Sequence, residues 1–542
     1  MHRTLTIPPL TCVAVAWLTA SACLTLPAAD ADADAGCETA VNESSEGTPI
    51  ELGTRRELFV DEHLVDRLEG DARLVLHHPQ PREIVLVHDE PWEGSGSGYH
   101  SVFQDGDLYR MYYKAWHLHV KAGEKVQTSA HPGYCCYAES RDGIHWEKKE
   151  LGLFDFRGSK ANNIVMATGD VGGVKVDGAH PAVFKDLNPA ASTEARYKAL
   201  FRSNGAHGLL AFQSADGIHF SPMSDAPVIT DGAFDSQNLA FWDAEHGLYR
   251  AYWRYFTAGV TTADEWKPTG LRGIRTATST DFLNWSEPRD LEYVDSPAEQ
   301  LYTNQIKPYS RAPHLLIGFP MRYVDRGWQE STTVLPELEN RKIRAETTPR
   351  YGSAVTDCLL MSSRDGVRFK RWNEAFLRPG IERPGTWNYG HHCLAWHAVE
   401  TKSMLEGAPN ELSLYSVESY WTGDSSALRR YTLRLDGFAS VQASATGGEL
   451  VSRPLTFSGD ALVLNFSTSA AGSVRVELQQ ADGTPIPNYT LADCHELFGD
   501  SIERTVTWKD GSDVSRLIGQ PVRLRFVLKD ADLFAFQFPG KE

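Results

Sequence analysis

A short phrase that recurs along this chain decides its fold. Residues 134–147 read Y-C-C-Y-A-E-S-R-D-G-I-H-W-E, in which Arg141, Asp142 and Gly143 separate two runs of β-forming residues. Glycine accepts the positive φ of a tight turn and aspartate bonds its own backbone, so the phrase predicts a β-hairpin. Similar phrases surround Asp216, Asp281 and Asp365, and a degraded one surrounds Asp436.

The spacing of these five hairpins predicts a repeated unit. The intervals between the five aspartates are 74, 65, 84 and 71 residues, and each has room for four strands. The serine and aromatic residues beside the aspartates resemble the Asp-box of β-propeller proteins. We therefore expect an all-β chain that contains a five-bladed β-propeller, with the turn aspartates in a structural role.

The pattern changes after about residue 445. Alternating strand runs continue, but glycine- and aspartate-rich turns of another kind separate them, which predicts a small C-terminal β-sandwich. We predict a signal peptide at 1–29, a disordered linker at 30–56, a catalytic propeller domain at 57–445 and the sandwich at 446–542. Within the propeller range, residues 57–66 are expected to add an outer strand that helps to close the ring.

The first thirty residues predict export. A short basic start is followed by an apolar stretch at 10–26 and by small residues, the plan of a secretory signal peptide. The apolar stretch is too short to favour an integral membrane span. We expect a periplasmic or extracellular protein, with lipoprotein anchoring at Cys23 as an alternative.

Composition narrows the class of partner. The formal net charge of -18 argues against nucleic acid and anionic membranes. The 14 Trp and 20 Tyr residues supply rings that can stack on a carbohydrate, which is the expected partner, while the oligomeric state stays open. No cofactor and no metal site is expected, because the cysteines show no CxxC pattern. Disulfide pairing is left open among Cys37, Cys135, Cys136, Cys358, Cys393 and Cys494.

Propeller topology selects the candidate site. The innermost strand of every blade begins on the same face of the ring, where the second strand also ends, and we call this face the mouth. Polar and aromatic residues at those positions should converge there. The predicted substrate-binding residues are His180, Asn238, Tyr302, Arg322, Trp387, His391 and Glu418.

Cleavage of a glycosidic bond requires one protonated and one ionised carboxyl group. Glu299 is the predicted acid, because it stands beside Tyr302 and before an apolar strand, where desolvation raises a carboxyl pKa. Asp235 is the predicted second carboxylate, in a more polar surround. Glu93, Asp177 and Glu418 are the alternates. Turn capping by Asp235 and a surface position for Glu299 are the competing structural interpretations.

Longer motifs carry a resemblance to known proteins. F-V-D-E-H-L-V-D at 59–66, A-F-D-S-Q-N-L-A-F-W-D at 233–243 and E-Q-L-Y-T-N-Q-I-K-P-Y at 299–309 resemble secreted bacterial family 32-like glycosyl hydrolases. R-R-Y-T-L-R-L-D-G-F at 429–438 and K-D-A-D-L-F-A-F-Q-F at 529–538 extend the resemblance. It implies the five-bladed propeller of glycoside hydrolase families 32, 43 and 68. The N-D-P-N-G and R-D-P motifs of invertases are missing, so fructoside specificity is not implied.

The predicted function is that of a secreted glycoside hydrolase with a pair of carboxylates at the mouth and an unknown sugar. One alternative is a non-catalytic glycan-binding propeller, in which Trp116, Tyr302, Trp387 and Tyr420 act as stacking platforms. Another is a polysaccharide lyase with a histidine or tyrosine base, for which His180 and Arg322 are suited. A sialidase-like enzyme also has Asp-boxes, but its six blades do not fit five repeats.

Overall fold

The structure is a computed structural model in which residues 48–540 are described. All of its strands and helices belong to the unit that begins at Pro49. The predicted signal peptide at 1–29, Cys23, Cys37 and most of the predicted linker at 30–56 lie outside the described residues. Export and anchoring therefore stay predictions.

Five short strands precede the first blade. Strands β1 to β4 pair with strands of the C-terminal sandwich, whereas β5 pairs with the third strand of blade five. The expectation that residues 57–66 add a blade strand is wrong, because β5 supplies that strand and the earlier segment joins the sandwich. The five are β1 (Ile50–Gly53), β2 (Arg56–Leu58), β3 (Val65–Gly70), β4 (Arg73–Leu76) and β5 (Gln80–Val87).

Blades one to three follow one another along the chain. Each is an antiparallel sheet in which most consecutive strands pair, and in blade one β8 pairs with β7, β9 and β10. Blade one contains β6 (Gly98–Asp105), β7 (Leu108–Ala115), β8 (Tyr134–Ser140), β9 (Glu147–Lys148) and β10 (Ile164–Ala167); blade two contains β11 (Gly169–Val171), β12 (Val174–Lys185), β13 (Tyr197–Ser203), β14 (Leu209–Ser214) and β15 (Ser221–Pro222); blade three contains β16 (Leu239–Asp243), β17 (Leu248–Thr261), β18 (Trp266–Ser279) and β19 (Arg289–Asp290).

Blade four has an extra strand and an insertion. Strand β20, which follows blade three along the chain, pairs in parallel with β26. Strands β23 and β24 form a separate two-stranded ladder. Three short helices occupy residues 326–353 between those two strands. The elements are β20 (Glu292–Val294), β21 (Lys307–Tyr309), β22 (Ala312–Gly318), β23 (Met321–Asp325), α1 (Glu330–Thr333), α2 (Leu338–Thr347), α3 (Arg350–Ser353), β24 (Ala354–Cys358), β25 (Met361–Ser363) and β26 (Arg368–Arg371).

Blade five closes the ring. Its own strands are β27 (Val399–Thr401), β28 (Glu411–Glu418) and β29 (Ala427–Arg434), and its outermost strand is β5 from the N-terminal side. The five blades confirm the predicted propeller. None of the helices between residues 48 and 540 has the length and apolarity that crossing a bilayer requires.

The remaining strands form the predicted β-sandwich. Their apolar faces enclose a core that includes Trp508, Phe526 and Phe536, and β1 to β4 complete the sheet. The predicted propeller range of 57–445 thus contains residues that pair with the sandwich. Its strands are β30 (Ala439–Ala443), β31 (Gly448–Ser452), β32 (Leu455–Phe457), β33 (Val463–Gln480), β34 (Asp500–Thr505) and β35 (Val522–Gln537).

Four of the five aspartates in the repeated phrase share one geometry. Oδ1 of Asp142 accepts the backbone N–H groups of Ile144 and His145, both at 2.8 Å, and the Ser140 hydroxyl at 2.9 Å. This pattern confirms a structural role. It is repeated at Asp216, Asp281 and Asp365, and we call these four residues the turn aspartates.

Asp436 differs from them, because the chain leaves the propeller at this turn. Its carboxylate is buried and pairs with Arg56 at 3.0 Å and with Arg311 at 2.9 Å, while the Tyr309 hydroxyl donates to it at 2.8 Å. These partners come from β2 and from blade four. Asp436 therefore joins the sandwich to the ring instead of turning a blade hairpin.

The cysteines between residues 48 and 540 are free and buried. Cys135 and Cys136 are neighbours on β8 and pack into two different apolar clusters, as expected for alternating strand residues.

Candidate functional site

The axis of the ring at the mouth is filled by aromatic side chains. Tyr99, Tyr389 and Tyr420 are buried there together with Lys114, and Tyr302 lies at the edge. We call these five residues the hub. The cavity among them measures only about 10 Å³, which is room for about one water molecule. A sugar ring is therefore too large for the cavity within the hub.

Lys114 is the cation of the hub. Its ammonium group lies 4.2 Å from the Trp116 ring centroid and 4.9 Å from that of Tyr99. Burial lowers the pKa of Lys114 to about 8, although the charges of Asp177 and Asp235 act in the opposite direction. Both aspartates are therefore close enough to the hub to act on its cation.

An open groove lies beside the hub, between blades two and three. It has a volume of about 590 Å³, within the range of small-molecule sites. The connections between the second and third strands of both blades form its walls. Phe234 and Trp266 supply rings, and the Trp266 side chain is 48% exposed. Asp235 and Arg202 are its charged residues.

Asp235 is the carboxylate that this groove exposes. It follows Phe234 in the segment before β16, its side chain is 45% exposed, and it pairs with Arg254 from β17. Burial of its surroundings raises the pKa, but Arg254, His180 and Arg202 outweigh that effect and lower the pKa of Asp235. The structure thus places an ionised carboxylate on the wall of the groove.

A second carboxylate, Asp177, stands nearby on β12. It accepts from His180 Nδ1 at 2.8 Å and from Arg202 at 3.3 Å. Burial opposes ionisation, but His180 and Arg202 together lower the pKa of Asp177. Since His180 and Arg202 act on both Asp177 and Asp235, these two carboxylates share one electrostatic site.

Glu299 lies in a different environment. One of its oxygens is 3.0 Å from Arg322, the other is 3.0 Å from Arg371, and Arg322 also makes a two-point pair with Asp357 at 2.9 and 2.6 Å. Two guanidinium groups stabilise a carboxylate. This pairing does not favour the proton-donor role predicted for Glu299, and it occupies the Arg322 fork that was predicted to bind substrate.

Glu93 and Glu418 are enclosed. Glu93 has no exposed side-chain surface and binds Lys148 at 2.7 Å and Tyr113 at 2.5 Å. Burial raises the pKa of Glu93 more than Lys148 lowers it. Glu418 is 4% exposed and pairs with Arg383 and with Arg429. Neither carboxylate reaches the groove.

The remaining predicted ligands also have local partners. Asn238 donates to the backbone oxygens of Phe234 and Ser236 at 3.0 and 2.9 Å, so it holds the turn that presents Asp235. His391 accepts the backbone N–H of Trp387 at 3.0 Å. His391 and His392 lie in a turn, and their ring centroids stack 3.8 Å apart.

Several residues of the site were missed from the sequence. Arg272 and Trp266 extend from a blade-three hairpin that is longer than expected, and Arg350 and Tyr351 come from the helical insertion of blade four. The longest interval between turn aspartates, 84 residues, was the signal that blade four contains additional chain.

The described residues do not group into a metal site. Between residues 48 and 540, no three His, Cys, Asp or Glu side chains are grouped in a way that would hold a metal ion. The charged groups that line the groove are the Asp235 carboxylate and the Arg202 guanidinium, and Asp177 with its partner His180 lies beside Arg202.

The chain was compared with known proteins. No protein-family profile matches it, and no curated protein is significantly similar. Solved structures that resemble it include a thermostable family-43 glycoside hydrolase, with 15% identity and a TM-score of 0.39 over 66% of this chain and 96% of that one.

Two further structures resemble the chain. One is from the GH130 family of mannoside phosphorylases, which contains glycoside hydrolases that target β-1,2-mannosidic linkages in Candida mannan; it has 13% identity and a TM-score of 0.40 over 65% of this chain and 94% of that one. The other is a fructofuranosidase variant from Schwanniomyces occidentalis complexed with fructosylnystose, with 12% identity and a TM-score of 0.33 over 91% and 100%. Similarity at this level carries no argument about activity.

Proposed function

We propose that the protein is a glycoside hydrolase that cleaves an O-glycosidic bond of a saccharide bound in the groove between blades two and three. One observation carries the proposal: Asp235 is an ionised, exposed carboxylate on the wall of a cavity that also offers the exposed Trp266 ring for stacking. Aromatic rings beside a carboxylate suit a sugar, whose ring faces are apolar and whose edges are polar.

Asp235 acts in this proposal as the nucleophile or as the base that activates water. Both roles require a charged carboxylate at the anomeric carbon. Arg254 fixes its orientation from the adjacent strand, and Asn238 holds the turn on which it stands. The charge of Asp235 is also the one that solvent reaches most easily in the site.

The leaving oxygen needs a proton, and we assign the role of proton donor to His180 in place of the protonated carboxyl group predicted from the sequence. Asp177 accepts from Nδ1 of His180 and so fixes the ring, which leaves Nε2 to exchange a proton with the substrate. A histidine oriented by a carboxylate is a common proton carrier near neutral pH. Asp177 is then a positioning residue.

The test is the release of reducing ends from a panel of polysaccharides by the purified full chain. His180→Gln should lower kcat about 100-fold. Glu299→Gln should leave kcat unchanged, and Asp216→Asn is a control at a distant turn. A complete loss in Glu299→Gln with an active His180→Gln would return the acid role to Glu299. Saccharide binding without any product from the panel would favour the glycan-binding alternative.

A polysaccharide lyase is the second candidate. The observation that favours it is the His180–Asp177 pair beside Arg202, because β-elimination needs a base and a cation that neutralises the uronate carboxylate. A lyase would form an unsaturated uronate, which absorbs in the ultraviolet, and its activity would survive in Asp235→Asn. A hydrolase forms no such chromophore.

A further inference from the structure

Three guanidinium groups surround two tyrosines at the border of blades three and four. Arg254 lies 4.8 Å and Arg272 lies 5.5 Å from the Tyr302 ring centroid, and Arg272 is also 4.7 Å from that of Tyr323. Arg350 comes from the helical insertion and stands beside Tyr323. We call Arg254, Arg272 and Arg350 the arginine cluster. It continues the site from Asp235 toward blade four.

The cluster has more cations than anions. Arg254 pairs with Asp235. Arg272 donates instead to the neutral Gln300 side chain at 2.8 Å, and between residues 48 and 540 no carboxylate oxygen lies within 4 Å of Arg272 or Arg350. Acidic residues are not scarce in this chain, which has 71 of them against 53 basic ones. The imbalance is therefore local to the site.

The imbalance is energetically unfavourable in the protein alone. Burial lowers the pKa of Arg272, and the charges of Arg254 and Arg350 lower it further. Arg272 Nε, Arg254 Nε and Arg350 Nη1 are buried without an acceptor among the described residues. By contrast, nearby Arg322 is neutralised by Asp357 and Glu299. Unpaired buried cations become favourable when an anion joins them.

We propose that the arginine cluster recognises an anionic group on the saccharide, either the carboxylate of a uronic acid or a sulfate ester. Planar guanidinium groups match both anions through paired hydrogen bonds. This proposal rests on the proposed function in one respect. Both assume that a single saccharide spans the groove and the arginine cluster. It adds the class of sugar, which the carboxylate and the imidazole leave open.

The experiment is a binding measurement on the full chain. The probes are pectate and a sulfated galactan, each paired with its carboxyl-reduced or desulfated derivative, and affinity electrophoresis gives the dissociation constants. We expect one anionic polymer to bind at least about tenfold more tightly than its neutral derivative. Whichever pair shows the preference distinguishes a uronate from a sulfate.

In Arg272→Gln and in Arg350→Gln, the ratio of the dissociation constants of the neutral and the anionic polymer should fall toward one. The matched control is Arg516→Gln, since Arg516 also lies over a tyrosine ring, 4.5 Å from Tyr489, but in the sandwich. Equal binding of charged and neutral polymers, or a preference that survives both substitutions, overturns the proposal. Because a glutamine variant could fail to fold, its melting temperature is measured, and loss of the wild-type preference in high salt provides the same test.

Binding and turnover separate the two proposals. A preference for the anionic polymer without release of reducing ends supports the arginine assignment and removes the hydrolase. Hydrolysis of a neutral polymer without any anionic preference supports the hydrolase and overturns the arginine assignment. No binding to any of the four probes overturns the assignment.

Discussion

Aspartate side chains occupy two kinds of environment in this molecule. Some lie in hairpin turns, and others form ion pairs with arginines from distant segments. Asp142 is held by backbone N–H groups two and three residues away. Asp235 is held by Arg254 from a separate strand, and Asp436 by Arg56 and Arg311, which are far from it and from each other in the sequence. In both groups hydrogen bonds or cations overcome the effect of burial and lower the pKa.

The difference shows which aspartates a substitution can harm and how. Water can replace a turn aspartate as hydrogen-bond acceptor, because the N–H groups that the aspartate binds are near the surface. An aspartate in an ion pair neutralises buried guanidinium groups such as Arg254 and Arg56, so its loss leaves a buried cation without that carboxylate. The effects of substitution should therefore be small at the turns and large in the interior.

The largest effect is expected for Asp235→Asn. Removal of the charge at the groove should lower kcat about 1,000-fold, because neither a nucleophile nor a base remains at that position. The melting temperature should also fall, since the substitution leaves the buried Arg254 guanidinium, which is 2% exposed, without a carboxylate partner among residues 48–540. Steady-state kinetics and thermal unfolding measure both quantities. Unchanged kcat would remove Asp235 from the mechanism.

Asp436→Asn should come next, with an effect on folding. It leaves Arg56 and Arg311 without their shared carboxylate in a buried position, which should lower the free energy of unfolding by about 4 kcal/mol. Urea unfolding measures the change. Asp264→Asn, in an exposed loop, is the control. A change below that of a turn aspartate would contradict the interior role.

Lys114 provides a pH test of the interior. Its pKa is about 8 in the folded protein and 10.5 ordinarily, so the unfolded chain binds the proton more readily between these values. Stability contributed by this group should rise with pH across that interval, by about 3 kcal/mol. The comparison is wild type with Lys114→Met, in which this rise should be absent. Identical pH profiles would show that Lys114 titrates normally.

The smallest effect is expected for Asp142→Ala. The freed N–H groups of Ile144 and His145 can bond to water, so the free energy of unfolding should fall by only about 1 kcal/mol. His145→Ala separates the backbone contribution from that of the exposed imidazole. A loss as large as that of Asp436→Asn would abolish the distinction between the two groups.

The same distinction explains what could be predicted from the sequence. The hairpins at Asp142, Asp216, Asp281 and Asp365 were predictable because glycine, serine and aspartate act on their own backbone. Asp436 follows the same phrase but leads out of the ring, and its partners Arg56 and Arg311 are distant in sequence. Nothing local distinguishes it.

The site shows the same limit. Propeller topology was sufficient to predict that Asp235, His180 and Tyr302 belong to one face of the ring. It did not predict the pairing of Glu299 with Arg322 and Arg371, because ion pairs between segments distant in the sequence follow no sequence period. Arg350 was hidden for a further reason, since it belongs to an insertion that breaks the repeat.

The outer strand of blade five has a consequence for biosynthesis. Leu86 pairs with Leu428, so the contact that seals the ring joins positions that leave the ribosome far apart in time. Blades one to four can form their hairpins while translation continues, but their circular arrangement must wait until nearly all of blade five has been made. Premature termination within that blade should therefore yield an open, protease-sensitive arc, with the cost of closing so long a loop still unmet.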